Sequence, residues 1–376
     1  MINFNQVHIF ESALGQHNMI TVLQKGSSPE QEAQTCITRR RGFADSELLN
    51  SIFSRTDAET EYFSVPQRLL YESDANYISL RGRSSGTSEE PVQRVLSKMQ
   101  GASENLGQLL SVNQGIVTAA DKISPKHLKK YALNAAVGDG IFVLSNEEVS
   151  QLKLADADVS ILRPWFKNSD VHRWVTSTAT DERLIFADKR LNNLIEAKAL
   201  MRHLQRFRVI LDDCSSNSPY MHRPRSIDFD GPKLVVPQRA MSNVFAFTSK
   251  PWYASADVYF ITDPKANVGR LKSILALLNS RLYFLWFYHK GKRKGEMLEL
   301  YQTPLSETPI PYMDKTMQVS LAALVDHILE AKRKNVEADV TQMEHEIDLL
   351  VYEVYKLTPV EIEDVVSATT RRPIRM

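Results

Sequence analysis

The sequence predicts an α+β fold. Short β-branched and aromatic runs bounded by turn residues fill the first two thirds, and apolar residues at helical spacing dominate the last third. At 376 residues, 43% hydrophobic and 24% charged, the chain has ordinary globular composition and enough length for two or three units.

Taken in order, residues 7–25 read as a hairpin. Val7-His8-Ile9-Phe10 and Met19-Ile20-Thr21-Val22-Leu23 flank the turn-prone Leu14-Gly15-Gln16-His17-Asn18. A two-stranded ribbon is not stable alone, so this segment needs a partner surface or the remainder of a sheet. A short strand at Tyr77-Ile78-Ser79-Leu80 and a joint at Arg83–Pro91 follow. Next comes a helix from about Pro91 to Gln100 that places Val92, Val95, Leu96 and Met99 on one face. Strands are expected at Ile141–Leu144, Leu184–Phe186, Val209–Leu211, Lys233–Val236 and Val258–Ile261, with helices near Lys126–Tyr131 and Asn192–Arg206. The remainder is helical: Leu271, Ile274, Leu275, Leu278 and Leu282 keep one face. So do Leu321, Leu324, Val325, Ile328 and Leu329, and then Met343, Ile347, Leu350, Val351 and Val354. Asp314 or Thr316 is the expected cap of the second helix, with Lys332-Arg333-Lys334 at its C-terminal end.

With 46 Lys+Arg against 45 Asp+Glu the net charge is +1, so a nucleic-acid site has to be a local patch. Cys36 and Cys214 form no CxxC pair, and the nine histidines show no HxxxH spacing, which argues against zinc or any other metal site. Two thiols fit a reducing compartment, with burial among apolar neighbours as the default. The start lacks the features of a signal peptide, and the apolar run Ile274–Tyr288, interrupted by Asn279, Ser280 and Arg281, is too short to span a bilayer. The expectation is a soluble cytoplasmic protein.

Six motifs then carry a resemblance by their order: Gly115-Ile116-Val117-Thr118; Leu162, Pro164, Trp165, Phe166 and Asp170; Pro232-Lys233-Leu234-Val235; Ala276-Leu277-Leu278-Asn279-Ser280; Thr308-Pro309-Ile310-Pro311; and Glu346–Tyr352 with Tyr355-Lys356-Leu357-Thr358. Over residues 105–363 the chain resembles the C-terminal target-recognition (specificity) region of Taq-type adenine-specific DNA methyltransferases, including fused type II restriction-modification enzymes. The resemblance implies a terminal hairpin of a methyltransferase sheet over 1–26, a connecting region over 27–105, a mixed α/β target-recognition domain over 106–265 and a helical C-terminal cap over 266–376. It also implies double-stranded DNA as partner, and S-adenosylmethionine as cofactor of a complete family enzyme. No glycine-rich loop follows a strand here, and no Asn-Pro-Pro-Tyr or Asp-Pro-Pro-Tyr occurs. The chain alone is therefore expected to bind no cofactor, to have no catalytic residue, and to be a truncated module that works with a methyltransferase catalytic half.

Reading DNA needs cations for phosphates and planar or amide groups for base edges. The densest cation run, His289–Gly295, supplies Lys290, Lys292, Arg293 and Lys294, where the resemblance places a DNA-facing loop; the alternative is a solvated connection. Lys167 and Arg173 are further groove candidates, whereas Trp165 and Phe166 read as core. Gln238 and Arg239 suit adenine or guanine edges or a surface ion pair. Thr118 and Lys122 suit a phosphate, or Thr118 a turn-stabilising hydroxyl. Phe10 and His17 fall in the segment that resembles the family's base-pocket motif, with burial in the sheet as the alternative for an aromatic there. Arg39-Arg40-Arg41 reads as a solvated turn and Arg371–Arg375 as a tail, while Asp212, Asp213, Asp228 and Asp230 read as turn and cap residues. A non-catalytic protein-interaction scaffold using the C-terminal helices is the competing reading.

Overall fold

The structure is a computed structural model that describes residues 1–10, 18–23, 25–26, 31–72, 77–78, 80, 91–101, 103–186, 193–214 and 227–370. His17, most of the 83–91 joint and the 371–375 tail lie outside the described residues. The chain divides into two compact units, Met1–Ser97 with Arg293–Met297, and Lys98–Lys292 with Leu298–Met376.

In the first unit a four-stranded sheet runs in the order Met19–Ile20, Ile2–Asn3, Glu32–Thr38, Thr60–Pro66. Ile2 pairs antiparallel with Ile20 and parallel with Cys36, and the two long strands pair antiparallel from Glu32↔Pro66 to Thr38↔Thr60. The expected hairpin partners change. Met19–Ile20 lies beside Ile2–Asn3, and Gln6–His8 pairs parallel with Arg41–Phe43. The reason is the core: Phe4 and Val7, 0% and 1% exposed, both turn inward with Cys36 and Ile52. The chain therefore breaks at Asn5, in the left-handed region at φ +49°, between two short strands. Phe10 is 58% exposed, so burial in a sheet is not its fate. Arg39 and Arg41 are exposed, whereas Arg40, 40% exposed at its side chain, is also anchored. Its guanidinium meets the buried Asp57 carboxylate at 2.6 Å and, chiefly through that bond, holds the carboxyl below its ordinary range.

The second unit contains two four-stranded sheets. One is fully antiparallel, in the order Ser111–Gln114, Val258–Thr262, Lys233–Pro237, Ala246–Thr248. The other runs Val143–Ser145, Glu182–Ile185, Leu162–Phe166, Tyr253–Ala254, with the last pair parallel. One continuous core, including Phe142, Leu184, Trp165, Phe166, Val235, Trp252 and Phe260, joins both sheets, and Phe166 stacks on Trp252 at 4.7 Å between ring centroids. Val209–Leu211 is helical rather than extended, as part of Arg208–Cys214. A three-residue apolar run does not distinguish the two states, and Phe207, Ile210 and Leu211, spaced three and four apart, all join this core. Cys36 is buried as expected but Cys214, at the end of this helix, is exposed.

Six helices end the unit's fold. Val268–Asn279 and Arg281–His289 are buried over most of their length, because Lys315–Lys334, Thr341–Val354 and Pro359–Thr370 pack around them, and Gln302–Ser306 links the two groups. Asp314 caps the long helix by accepting from the Met317 amide at 2.8 Å. Tyr283 and Tyr355 share a buried hydroxyl–hydroxyl bond of 2.9 Å, with Tyr283 also donating to Pro309 O at 2.6 Å. No helix among the described residues is long and apolar enough to cross a membrane.

Candidate nucleic-acid interface

The six motifs turn out to be framework, and the framework positions the charged candidates. Gly115 lies so close to the neighbouring backbone that an added Cβ would sit 2.2 Å from Ser255 O. Its amide donates to Val258 O and that of Ile116 to Ala254 O, both at 2.9 Å, which clamps the turn to the sheet. Thr118, at the end of that turn, gives its hydroxyl to Asp121, whose carboxyl burial pushes up. That is the turn-stabilising use.

Lys122 and Lys167 converge on one carboxylate, Glu182, at 2.7 and 3.2 Å. Burial raises the Glu182 carboxyl, but the hydrogen bonds from the two lysines outweigh it and hold the group below the usual range. The Lys167 side chain is 63% exposed and that of Lys122 34%.

Arg173 is placed differently. It meets Glu344 at 2.7 Å, donates to Asn243 O at 2.9 Å and to Asn279 O, and is only 16% exposed. Trp174, buried and in the left-handed region at φ +77°, donates its indole N–H to the same Glu344 oxygen at 2.6 Å. Asn279 in turn closes both backbone groups of Phe245, at 3.0 and 2.9 Å, and Asn243 bonds Leu278 O and Ser280 O. The Arg281 amide finds Asp348 at 2.9 Å, and burial raises the Asp348 carboxyl to about 6. These bonds fasten the segment around Arg173 to the helices that carry Asn279 and Glu344. The Lys233 side chain is likewise internal: it donates to Gly231 O and Lys250 O at 2.7 and 2.9 Å, and burial lowers its ammonium to about 8.

Arg239 and Lys292 come together around Tyr301, and Gln238 precedes Arg239 in the chain. Gln238 is fixed through its backbone, which donates to Asp257 O and accepts from Leu300 N, both at 2.8 Å. That registers Arg239 opposite Glu299 and Ala240 opposite Leu298. Arg239 Nε meets Glu299 at 3.1 Å and its Nη2 donates to the Tyr301 hydroxyl at 2.7 Å. The Tyr301 hydroxyl itself donates to Glu299 at 2.9 Å. Lys292 holds its ammonium 5.8 Å from the Tyr301 ring centroid, and Tyr259 abuts the same ring edge-on.

The remaining basic residues follow the buried helix Arg281–His289. Gly291 is required there, because a Cβ would sit 2.5 Å from Phe287 O, where the Gly291 amide closes the helix end at 3.2 Å. Lys292 and Arg293 are exposed, and Lys290 and Lys294 are half-buried. Among the described residues no cluster of His, Cys, Asp and Glu is arranged to hold a metal ion.

Sequence reasoning missed Glu182, Glu299, Tyr301, Glu344 and Asp348 as partners. Glu299 alternates with Tyr301 two residues on, a strand-like signal that makes them neighbours on one face; the others carry no local signal.

The mixed sheets and helical end resemble a solved type IIL restriction-modification enzyme, MmeI, determined in complex with DNA, at a TM-score of 0.55 and 12% identity over 91% of this chain. A type IIG restriction endonuclease, BpuSI, aligns at a TM-score of 0.39 and 13% identity over 87% of the chain and 40% of its own length. The chain spans about two fifths, 41%, of the MmeI chain. Residues 176–310 match the family model of the TaqI-like C-terminal specificity domain, so the resemblance carried by the motifs holds for that segment. No curated protein matches the chain.

Proposed function

We propose that this chain recognises a double-stranded DNA sequence, as the specificity part of an adenine-specific DNA methyltransferase or fused restriction-modification enzyme. The observation that carries the reading is the specificity-domain match over 176–310, within which Arg239 and Lys292 lie beside one ring, that of Tyr301, and Gln238 precedes Arg239. Phosphate contacts from Lys122, Lys167 and Lys292 set the register, and Gln238 reads a base edge. Lys290, Arg293 and Lys294 extend the basic loop. Phe10, exposed, remains the base-pocket candidate, with His17.

On this reading the chain alone binds no S-adenosylmethionine. The single Gly-x-Gly pair, Gly138 and Gly140, precedes a strand instead of following one, and the Gly140 amide is committed to Glu148 at 2.7 Å. Methyl transfer is therefore the task of a methyltransferase catalytic half, which this module supplies with its target. Titrating the chain with a labelled mixed-sequence duplex and the corresponding single strand, at low and moderate salt, tests the reading. Preference for the duplex and a steep fall in affinity with salt are expected. Equal, salt-insensitive affinity for both strands would remove it.

A further inference from the structure

The cluster around Tyr301 has a use that sequence recognition alone does not assign. Arg239 projects from a strand whose register is locked by Gln238 and Glu299, and its side chain is 41% exposed. Two of its five N–H groups are committed: Nε to Glu299 and one Nη2 hydrogen to Tyr301. Among the described residues, Nη1 and the second Nη2 hydrogen have no such commitment. They include donors on the Nη1–Nη2 edge of the guanidinium, the edge that can take two oxygens of one phosphate. Glu299 bonds Nε, so it orients the group through an atom other than Nη1.

Charge around the same ring favours an anion. The Arg239 guanidinium lies 5.9 Å and the Lys292 ammonium 5.8 Å from the Tyr301 centroid, with the Glu299 carboxylate bonded to Arg239 and Tyr301. The Tyr301 hydroxyl links Arg239 to Glu299, accepting from the arginine and donating to the carboxylate, and burial together with Glu299 raises its pKa. It therefore stays a neutral donor at physiological pH.

We propose that the Arg239 guanidinium is a preformed clamp for one phosphate of the DNA backbone, with Glu299 and Tyr301 as its positioning residues and Lys292 adding positive charge beside the same ring. The proposal rests on the DNA-recognition reading above. Preordering matters because a free arginine loses rotamer entropy on binding, whereas this one is held before the ligand arrives. The clamp is blind to sequence. It sets where the neighbouring Gln238 meets the groove.

Duplex titrations of the full chain over a range of salt, on several sequences, test this with R239A, R239K and Y301F. R239A is expected to weaken every duplex by a common factor of about ten, as for one charge-assisted contact, and to flatten the slope of log K against log salt by about 0.9. R239K keeps the charge, so the slope should persist while affinity falls. Y301F should weaken binding several-fold at unchanged slope, with thermal stability near wild type. Unchanged affinity and slope in R239A overturn the clamp, as does a loss confined to duplexes carrying guanine at one position, which would make Arg239 a base reader. If wild type itself binds no duplex in a salt-dependent way, the DNA-recognition reading fails and the clamp with it. The two failures are thus separated by which protein shows them.

Discussion

Trp174 and Arg173 share one carboxylate oxygen of Glu344, at 2.6 and 2.7 Å, across about 170 residues of chain. Arg173 lies in a segment where sequence reasoning saw a groove residue, and the bonds it makes are internal ones. The Trp174 backbone is held at φ +77°, a conformation that costs a non-glycine residue energy unless its surroundings fix it.

Removing that carboxylate should therefore be costly. E344A leaves a largely buried guanidinium without its counter-ion and an indole N–H without an acceptor, for an expected loss of about 3 kcal/mol. Denaturant unfolding of E344A and R173A measures it. Should R173A instead keep wild-type stability and lose only DNA affinity, Arg173 would be a groove contact after all.

Gly115→Ala should destabilise by roughly 2 kcal/mol or more, since the methyl would collide with the Ser255 and Ala254 carbonyls, which are backbone and cannot swing aside. The midpoint of chemical denaturation reads the effect. A near-neutral change would mean that the strand pair beside Gly115 opens readily.

Asp348 predicts a pH dependence. Its folded carboxyl, raised by burial to about 6 from an ordinary 3.8, binds its proton more tightly than in the unfolded chain. Its contribution to stability is thus fully present below the unfolded value and is lost as pH rises through about 6, by as much as about 3 kcal/mol. The carboxamide of D348N keeps an acceptor for the Arg281 amide but does not titrate. Between pH 4 and 6.5 the stability of the variant should fall less steeply with pH than that of wild type; parallel curves would refute the assignment.

Glu182 restrains two of the candidate phosphate contacts, Lys122 and Lys167. E182Q removes one negative charge and releases both ammonium groups, so binding to mixed-sequence duplex at low salt should tighten a few-fold. Weaker binding would show that Glu182 places the lysines or meets the DNA itself.

How far the fold was legible follows from the range of each signal. Lys233–Pro237 and Val258–Thr262 are marked by β-branched runs between turn residues, and both are strands. The long helix announces its basic end and a cap at Asp314 or Thr316, of which Asp314 is the one used. Val209–Leu211 failed because three apolar residues fit either period, and the core that chose between them lies elsewhere in sequence. The site was half legible. Cations and amides stand out by residue type, so Gln238, Arg239 and Lys292 could be named as candidates from the sequence. The acids that fix them could not: Glu299 is 60 residues from Arg239, Glu182 is 60 from Lys122, and Glu344 is 171 from Arg173. Only the fold brings such pairs together. The recognisable motifs proved informative for another reason: Gly115, Asn279 and Asp348 satisfy backbone groups that a buried junction would otherwise leave unpaired.

Selection of the full chain on a randomised duplex pool, at two salt concentrations with the bound fraction sequenced, addresses the central claim most directly. Recognition of a DNA target predicts enrichment of one short, adenine-containing site, with total binding falling steeply as salt rises. A bound pool no different from the input, or binding indifferent to salt, would contradict it.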